Sequence, residues 1–354
     1  MRIAVLADAA SVHTQRWVQG LVDRGFLVSV WSEREWPGDA PVAVYRLKSG
    51  SWTRMRWADS VGRLRDSVGA FRPDIVHAHY VSRYGLWAAW LGRRWPRVFS
   101  VWGADVEVFP QAHGGLNRYL LRAILAQPDR ITASSRYLAE VTRQYTSKPV
   151  TVVPFGIDRT RFRPKPPNRG PLRWVINKAL EPVYGIDVAL EAWARVPRDR
   201  IWEGQILGTG TEKARLERLA VSLGVADRIH WRGPVAPADL PEVLAWADLG
   251  IYPSRRESFG VAPLEMQALG RAVMAHRVGG LPEVIRSDVT GYLIEPGDLE
   301  DWVRHLTAAA DDPEAVRRLG QNGPDWVAER YDFQHNVDQM VAVYEAVLKR
   351  GDRV

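Results

Sequence analysis

The chain has 354 residues, 46% of them hydrophobic and none of them cysteine, so it can fill the cores of two ordinary domains but cannot form disulfides or thiolate metal sites. No apolar run approaches the roughly 18 residues of a spanning helix and none opens the chain as a signal would, so a cytoplasmic protein is expected. The formal charge of +7 is uneven: residues 1–165 carry 25 Lys and Arg against 13 Asp and Glu, the remainder 23 against 28. A basic first half suits an anionic partner, although a merely solvated arginine-rich surface would look the same. No nucleic-acid recognition motif accompanies the charge, and nucleic-acid binding is not expected.

Arg2–Ala7 reads as a buried strand ending at Asp8. Thr14 then caps a helix with Trp17, Val18, Leu21 and Val22 on one face, Gly25 stops it, and Leu27–Trp31 is the next strand. The loop 9–13 follows the first strand of this βαβ unit, at the edge where such sheets bind ligands. It holds no G-x-G-x-x-G, which disfavours a nicotinamide cofactor. Strand-like segments recur at 42–47, 74–79, 97–102, 130–133 and 151–153, mostly with helical patterns between them, which predicts a parallel, doubly wound α/β sheet. His77 and His79 lie on one side of their strand, but no third ligand is near in sequence, so metal is not expected. The polar, proline-rich run 163–171 is predicted to connect a first domain, 1–162, to a second, 172–334.

The second domain restarts with a strand at 172–176, followed by Asn177, Lys178 and a helix from about Asp187 to Arg195. Strand 201–207 leads into Gly208-Thr-Gly210 and a helix ending at Gly224, a glycine turn equally at home in a dehydrogenase. Leu249–Tyr252 is a short buried strand broken by Pro253, and a helix over 261–269 carries Pro263 in its first turn and ends at Gly270. The amides of Phe259, Gly260 and Val261 then lie at a helix start, backed by its dipole, where an anion is favoured. Glu257 and Glu265, seven residues apart, can face one pocket as acceptors for two sets of hydroxyls. Surface glutamates around a helix, or a glycosidase acid and nucleophile, are the other readings of this pair. Val337, Met340, Val341 and Tyr344 place an amphipathic helix near the end of the chain.

Glu257-SFGVAPL-Glu265, followed by Gly279, Gly280, Pro282 and Glu283 and then Thr290, Gly291 and Tyr292, resembles the donor site of the retaining family 4 glycosyltransferases of the GT-B fold. The resemblance implies two Rossmann-like domains facing a cleft, with residues 335–354 as a helix returning to the first. It implies a nucleotide-diphospho-sugar donor on the second domain, no further cofactor and no metal, and a glycan, lipid-linked or small-molecule acceptor on the first. By the same resemblance Glu265 holds the ribose, while Glu257 and the amides of Ser258, Phe259, Gly260 and Val261 hold the sugar and diphosphate. Lys178 matches the first of two cationic positions, Tyr184 stands in place of the second, and Arg255 or Arg256 would substitute. Gly208 and the backbone around Arg232 fall on the nucleotide-base side. In the first domain Ser11-Val-His13-Thr replaces a Gly-Gly pair, which brings His13 towards the reaction centre unless it only caps its helix or faces solvent. His79 flanks the acceptor. Trp102 stands where relatives often carry a histidine, stacking on a sugar while Asp105 orients its hydroxyl; an N-capping aspartate beside a core tryptophan is the alternative.

The chemistry so implied is glycosyl transfer with retention, Lys178 and the helix-start amides stabilising a phosphate that itself takes the acceptor proton, and no protein nucleophile. A nucleotide-sugar epimerase of the same fold and a non-catalytic sugar-nucleotide binder are the rival functions. Two stretches, Trp52, Arg54, Arg56, Trp57, Arg63 and Arg65, then Trp87, Trp90, Arg93, Arg94 and Trp95, mix rings with guanidinium groups. They suit the headgroup layer of an anionic membrane and a peripheral contact at its inner face, unless the rings are core.

Overall fold

The computed structural model describes residues 1–47, 54–197 and 203–351, with backbone alone at 54–58 and 350–351. Contacts divide the chain into two units, Met1–Phe155 with Gln334–Val354, and Gly156–Phe333.

The first unit is built on strands β1 (Arg2–Leu6), β2 (Leu27–Ser32), β3 (Ala43–Arg46), β4 (Ile75–His79), β5 (Arg97–Val101), β6 (Arg130–Ala133) and β7 (Val150–Val152). They pair in parallel in the order β3-β2-β1-β4-β5-β6-β7. Ile3 to Leu6 are wholly buried, as a parallel strand covered on both faces must be. The order reverses between β1 and β4, so the loops leaving them diverge and open a crevice at the strands' carboxyl ends. The helix Val12–Val22 buries Trp17, Val18 and Leu21. Thr14 does not cap it but lies within it, buried. The preceding turn is closed by Asp8 instead, whose carboxylate accepts the Ala10 N–H at 2.9 Å. From Gln334 onward the last helix, Phe333–Gly351, is part of this unit: Val337, Met340 and Tyr344 are buried, and Asp338 accepts from the Arg24 guanidinium at 2.6 Å.

The second unit repeats the plan with β8 (Arg173–Asn177), β9 (Glu203–Leu207), β10 (Ile229–Gly233), β11 (Leu249–Tyr252), β12 (Ala272–His276) and β13 (Gly291–Ile294). The parallel order is β10-β9-β8-β11-β12-β13, reversing between β8 and β11. Its core includes Trp174 edge-on to Trp193 at 5.0 Å, and β9 accommodates that indole only because residue 204 is glycine: a Cβ there would lie 2.1 Å from the Trp174 ring. The chain changes unit between Phe155 and Gly156. The run 163–171 is fastened to the second unit: the Lys165 N–H donates to Leu269 O at 3.1 Å, and Asn168 Nδ2 to Trp246 O at 3.0 Å. Composition marks this run as polar but cannot reveal that its polar atoms have backbone partners here.

Arg317 and Asp248 form a buried ion pair at 3.1 Å, the guanidinium also donating to Gly170 O at 2.7 Å and the carboxylate accepting the Arg173 N–H at 3.0 Å. Truncating the arginine would strand a buried carboxylate, so Arg317→Leu is expected to cost the second unit about 3 kcal/mol in urea unfolding. A loss below about 1 kcal/mol would show that the pair does not stabilise this fold.

Candidate functional site

The loops leaving β8 and β11 bring the two expected donor carboxylates to one place. Lys178, the first residue after β8, meets Glu257 with Nζ 2.5 Å from Oε2, the side chains 11% and 15% exposed. Asn177, the last residue of β8, donates to Glu265 Oε2 at 3.2 Å and accepts from the Tyr252 hydroxyl at 2.6 Å. Burial, with the charges of Glu265 and Glu257, pushes the Tyr252 phenol well above its ordinary range, so it stays a donor.

Glu265 rides the helix Val261–Ala268, which begins at Gly260 with φ 117°. A Cβ on Gly260 would come within 2.9 Å of Val284, and one on Gly280 within 2.6 Å of the Ser258 carbonyl oxygen. The Gly280 N–H also donates to Glu257 O at 2.9 Å, so this turn clamps the segment Glu257–Phe259. Phe259 is buried, while Ser258 and Val261 are half-buried. Gly208 (φ 110°) donates its N–H to Gly233 O at 2.7 Å and passes so near Lys178 that a Cβ would lie 2.3 Å from that residue's carbonyl oxygen. Its position beside the cationic residue is therefore steric. Arg232 is exposed, at the register shift of β10 between Trp231 and Gly233.

Of the two arginines expected to substitute for a second cation, Arg255 is committed elsewhere. Its guanidinium donates to Pro182 O at 2.5 Å and to the two Asp187 carboxylate oxygens at 3.0 and 2.9 Å. Arg256 is exposed. Tyr184 presents its ring to Lys178, with Nζ 4.9 Å from the centroid. Asn177, Tyr252 and this use of Tyr184 escaped the sequence reading; the one available signal was an asparagine at a strand end beside a candidate cation.

In the first unit His13, His79 and Trp102 come together at the carboxyl ends of the strands, joined by Phe155. His13 stacks on Phe155 at 4.4 Å and meets Trp102 edge-on at 6.1 Å, while His79 lies 4.7 Å from Trp102. Both nitrogens of His77 are engaged, Nδ1 with the Tyr344 hydroxyl at 2.6 Å and Nε2 with Ser100 Oγ at 2.7 Å. Among the described residues no group of three or more His, Cys, Asp or Glu is arranged to hold a metal ion. Asp105 does not reach outward to a ligand hydroxyl. It is fully buried, and its carboxylate accepts the N–H groups of Val81 at 2.9 Å, Gly103 at 2.8 Å and Trp102 at 3.1 Å. It ties the loop after β5 to the end of β4 and so orients Trp102.

The ring-and-guanidinium stretches part company. Trp87 is buried and donates to Glu33 at 2.8 Å, and Trp90 and Trp95 pack against the core, so these rings are structural and not a membrane face. Trp52 lies outside the described residues, as do the side chains of Arg54, Arg56 and Trp57; Arg63 and Arg65 are exposed. Among the described residues no helix is long and apolar enough to cross a membrane.

Burial lowers both His77 and His79, the latter to about 3, and raises Asp105 to about 6 in spite of its amide partners. A base so weak cannot take a proton from a sugar hydroxyl, which makes His79 a neutral hydrogen-bonding group. As pH falls below 6.5, the two imidazoles take up protons in the unfolded chain before the folded one, and stability present above 6.5 is lost. Asp105 takes one up only in the folded chain below about 6, which restores part of it. Wild-type protein should therefore lose about 2 kcal/mol more than His79→Gln between pH 7 and pH 5 in urea unfolding. Parallel stability profiles would show that burial does not hold this imidazole neutral.

Comparison with known proteins extends over both units. The family described as glycosyl transferase 4-like matches residues 2–135, and that described as glycosyl transferases group 1 matches residues 158–326. D-inositol 3-phosphate glycosyltransferase of Segniliparus rotundus is 29% identical over 99% of this chain and 90% of its own. The protein of that name from Saccharomonospora viridis is 32% identical over 78% of this chain and 70% of its own. Among solved structures, Anabaena Alr3699/HepE in complex with UDP-glucose superposes with a TM-score of 0.81 at 17% identity, over 98% of this chain and all of the other. The two parallel, Rossmann-like units are those of the GT-B fold. On the matched segments and the length of alignment to named transferases, the chain belongs to the glycosyl transferases group 1 family and is a glycosyltransferase.

Proposed function

We propose that this glycosyltransferase takes a sugar from a nucleotide-diphospho-sugar held by the second unit and transfers it, with retention, to a hydroxyl of an acceptor held by the first. The observation that carries the reading is the convergence of Lys178, Glu257 and the Asn177–Glu265 pair where the order of a parallel sheet reverses, beside the start of the helix Val261–Ala268. Lys178 and the amides of Phe259, Gly260 and Val261 meet the diphosphate, Glu257 the sugar and Glu265 the ribose. The bond from the anomeric carbon to the phosphate oxygen breaks, one to the acceptor oxygen forms, and the acceptor proton passes to the departing phosphate. The resemblance of the Glu257 to Glu265 segment to retaining enzymes supports retention, and the UDP-glucose complex of the Anabaena protein supports the donor class. The acceptors named for the relatives, with the basic first half, support a phosphorylated polyol or another anionic acceptor over a neutral glycan. Named transferases among the relatives, and both glutamates in place, favour transfer over epimerisation or binding alone.

Glu265→Gln should weaken donor binding by about 1–3 kcal/mol, read as a rise in donor KM, while Glu257→Gln should chiefly lower kcat. Proton NMR of the first product formed should show the donor's anomeric configuration. Unchanged kinetics in both variants would remove the site assignment, and an inverted product would remove retention.

A second reading concerns where the acceptor is met. Val108, Leu116, Tyr119 and Leu120 are exposed within one short segment of the first unit, with exposed Arg118 and Arg122 among them, a mixture suited to an anionic membrane surface and a lipid-linked acceptor. Sedimentation with anionic vesicles should carry the protein down, less so at high salt or in Leu116→Ser with Tyr119→Ser. Equal recovery with neutral and anionic vesicles would exclude it.

A further inference from the structure

We propose that Tyr184 is a positioning residue that holds the Lys178 ammonium by its ring face, keeping this cation both ordered and open to a diphosphate; this rests on the donor site proposed above. Lys178 follows β8 directly on a flexible four-carbon stem, and an ammonium there needs something to hold it. Glu257 supplies one contact, at 2.5 Å. A second carboxylate would leave the group with net negative charge and occupy another of the three N–H donors. An aromatic face attracts the cation through its quadrupole and takes up no donor. Tyr184 provides such a face 4.9 Å from Nζ, and Tyr252, fixed by its bond to Asn177, adds a more distant one at 6.0 Å. Among the described residues only Glu257 accepts a hydrogen bond from Nζ, so the remaining N–H groups stay available between the rings.

The ring is held as firmly as the lysine requires. Tyr184 ends the turn Pro182–Tyr184, and Gly185 after it has φ 62° and passes so near Pro253 that a Cβ would lie 2.0 Å from its carbonyl oxygen. The Arg255 N–H donates to Val183 O at 2.8 Å, and its guanidinium closes over Pro182 O and Asp187. The arginine that sequence offered as a second cation thus fastens the ring to the loop carrying Glu257.

The decisive measurement is calorimetric binding of UDP and of GDP to wild type, Tyr184→Phe, Tyr184→Leu, Tyr184→Met, Lys178→Ala and the double variant Lys178→Ala with Tyr184→Leu. Whichever nucleotide wild type binds, Tyr184→Leu and Tyr184→Met should weaken it roughly threefold to tenfold and Tyr184→Phe should leave it unchanged. In the Lys178→Ala background the change to leucine should have no further effect. Equal losses in the phenylalanine and leucine variants would assign the hydroxyl rather than the ring face and overturn the inference. So would a loss undiminished without Lys178, or wild-type affinity in Tyr184→Leu. Wild type that binds neither nucleotide would overturn the donor site itself, and this inference with it.

Discussion

The second unit depends on a topological constraint: strands β8 and β11 are neighbours whose following chains must leave to opposite sides. The carboxyl ends of this pair are where loops diverge without covering the sheet, and the charged residues just beyond them face one another by necessity. Lys178 and Glu257 meet there at 2.5 Å, each largely buried. Two charges so placed lose much of their hydration, and each offsets part of the other's loss. In the proposed reaction the incoming diphosphate replaces water around the same lysine, and a site already poor in water strengthens that contact.

Glycine sets the spacing around this point. Gly208 lets the loop after β9 cross the Lys178 backbone, Gly185 lets the Tyr184 turn approach Pro253, and Gly280 lets its turn close over Ser258 and Phe259. Each would clash with backbone atoms if it carried a side chain, so none could be relieved by a rotamer change. The result is a loop bearing Glu257 that is pressed from two sides and stitched by Arg255, an arrangement in which small displacements of the carboxylate are resisted by backbone contacts.

The first unit solves a different problem. Its strand ends hold a set of buried polar groups, His77 with Tyr344, Ser100 and Thr132, and Asp105 with three backbone amides. Burying them without partners would be costly, and the partners come from separate strands and from the last helix, so the network locks those elements together. Trp102, His13 and His79 are thereby displayed on a rigid base. Asp105 contributes by fixing a loop, a role its position in the chain could not distinguish from contact with an acceptor.

The periodicity of apolar residues and the glycine and proline stops determined the fold, because parallel strands buried on both faces leave continuous apolar runs and their helices leave regular stripes. Glu257 and Glu265 with their flanking glycines were legible as a candidate site for a related reason: they lie close together in sequence, and one helix start organises them. Thr14 misled because a hydroxyl before an apolar stripe looks the same whether it caps a helix or sits inside one. Arg255 misled because a guanidinium near the site reads as available charge until Asp187, 68 residues away, is seen to hold it. Trp87, Trp90 and Trp95 could be read as interface or as core while their register was unknown, and they pack as core. Asn177 bridging to Glu265, Tyr184 beneath Lys178, and the closure of Asp105 onto Val81 were decided by tertiary structure alone. Such contacts join residues from different strands and loops, and only the order of strands in the sheet brings them within reach.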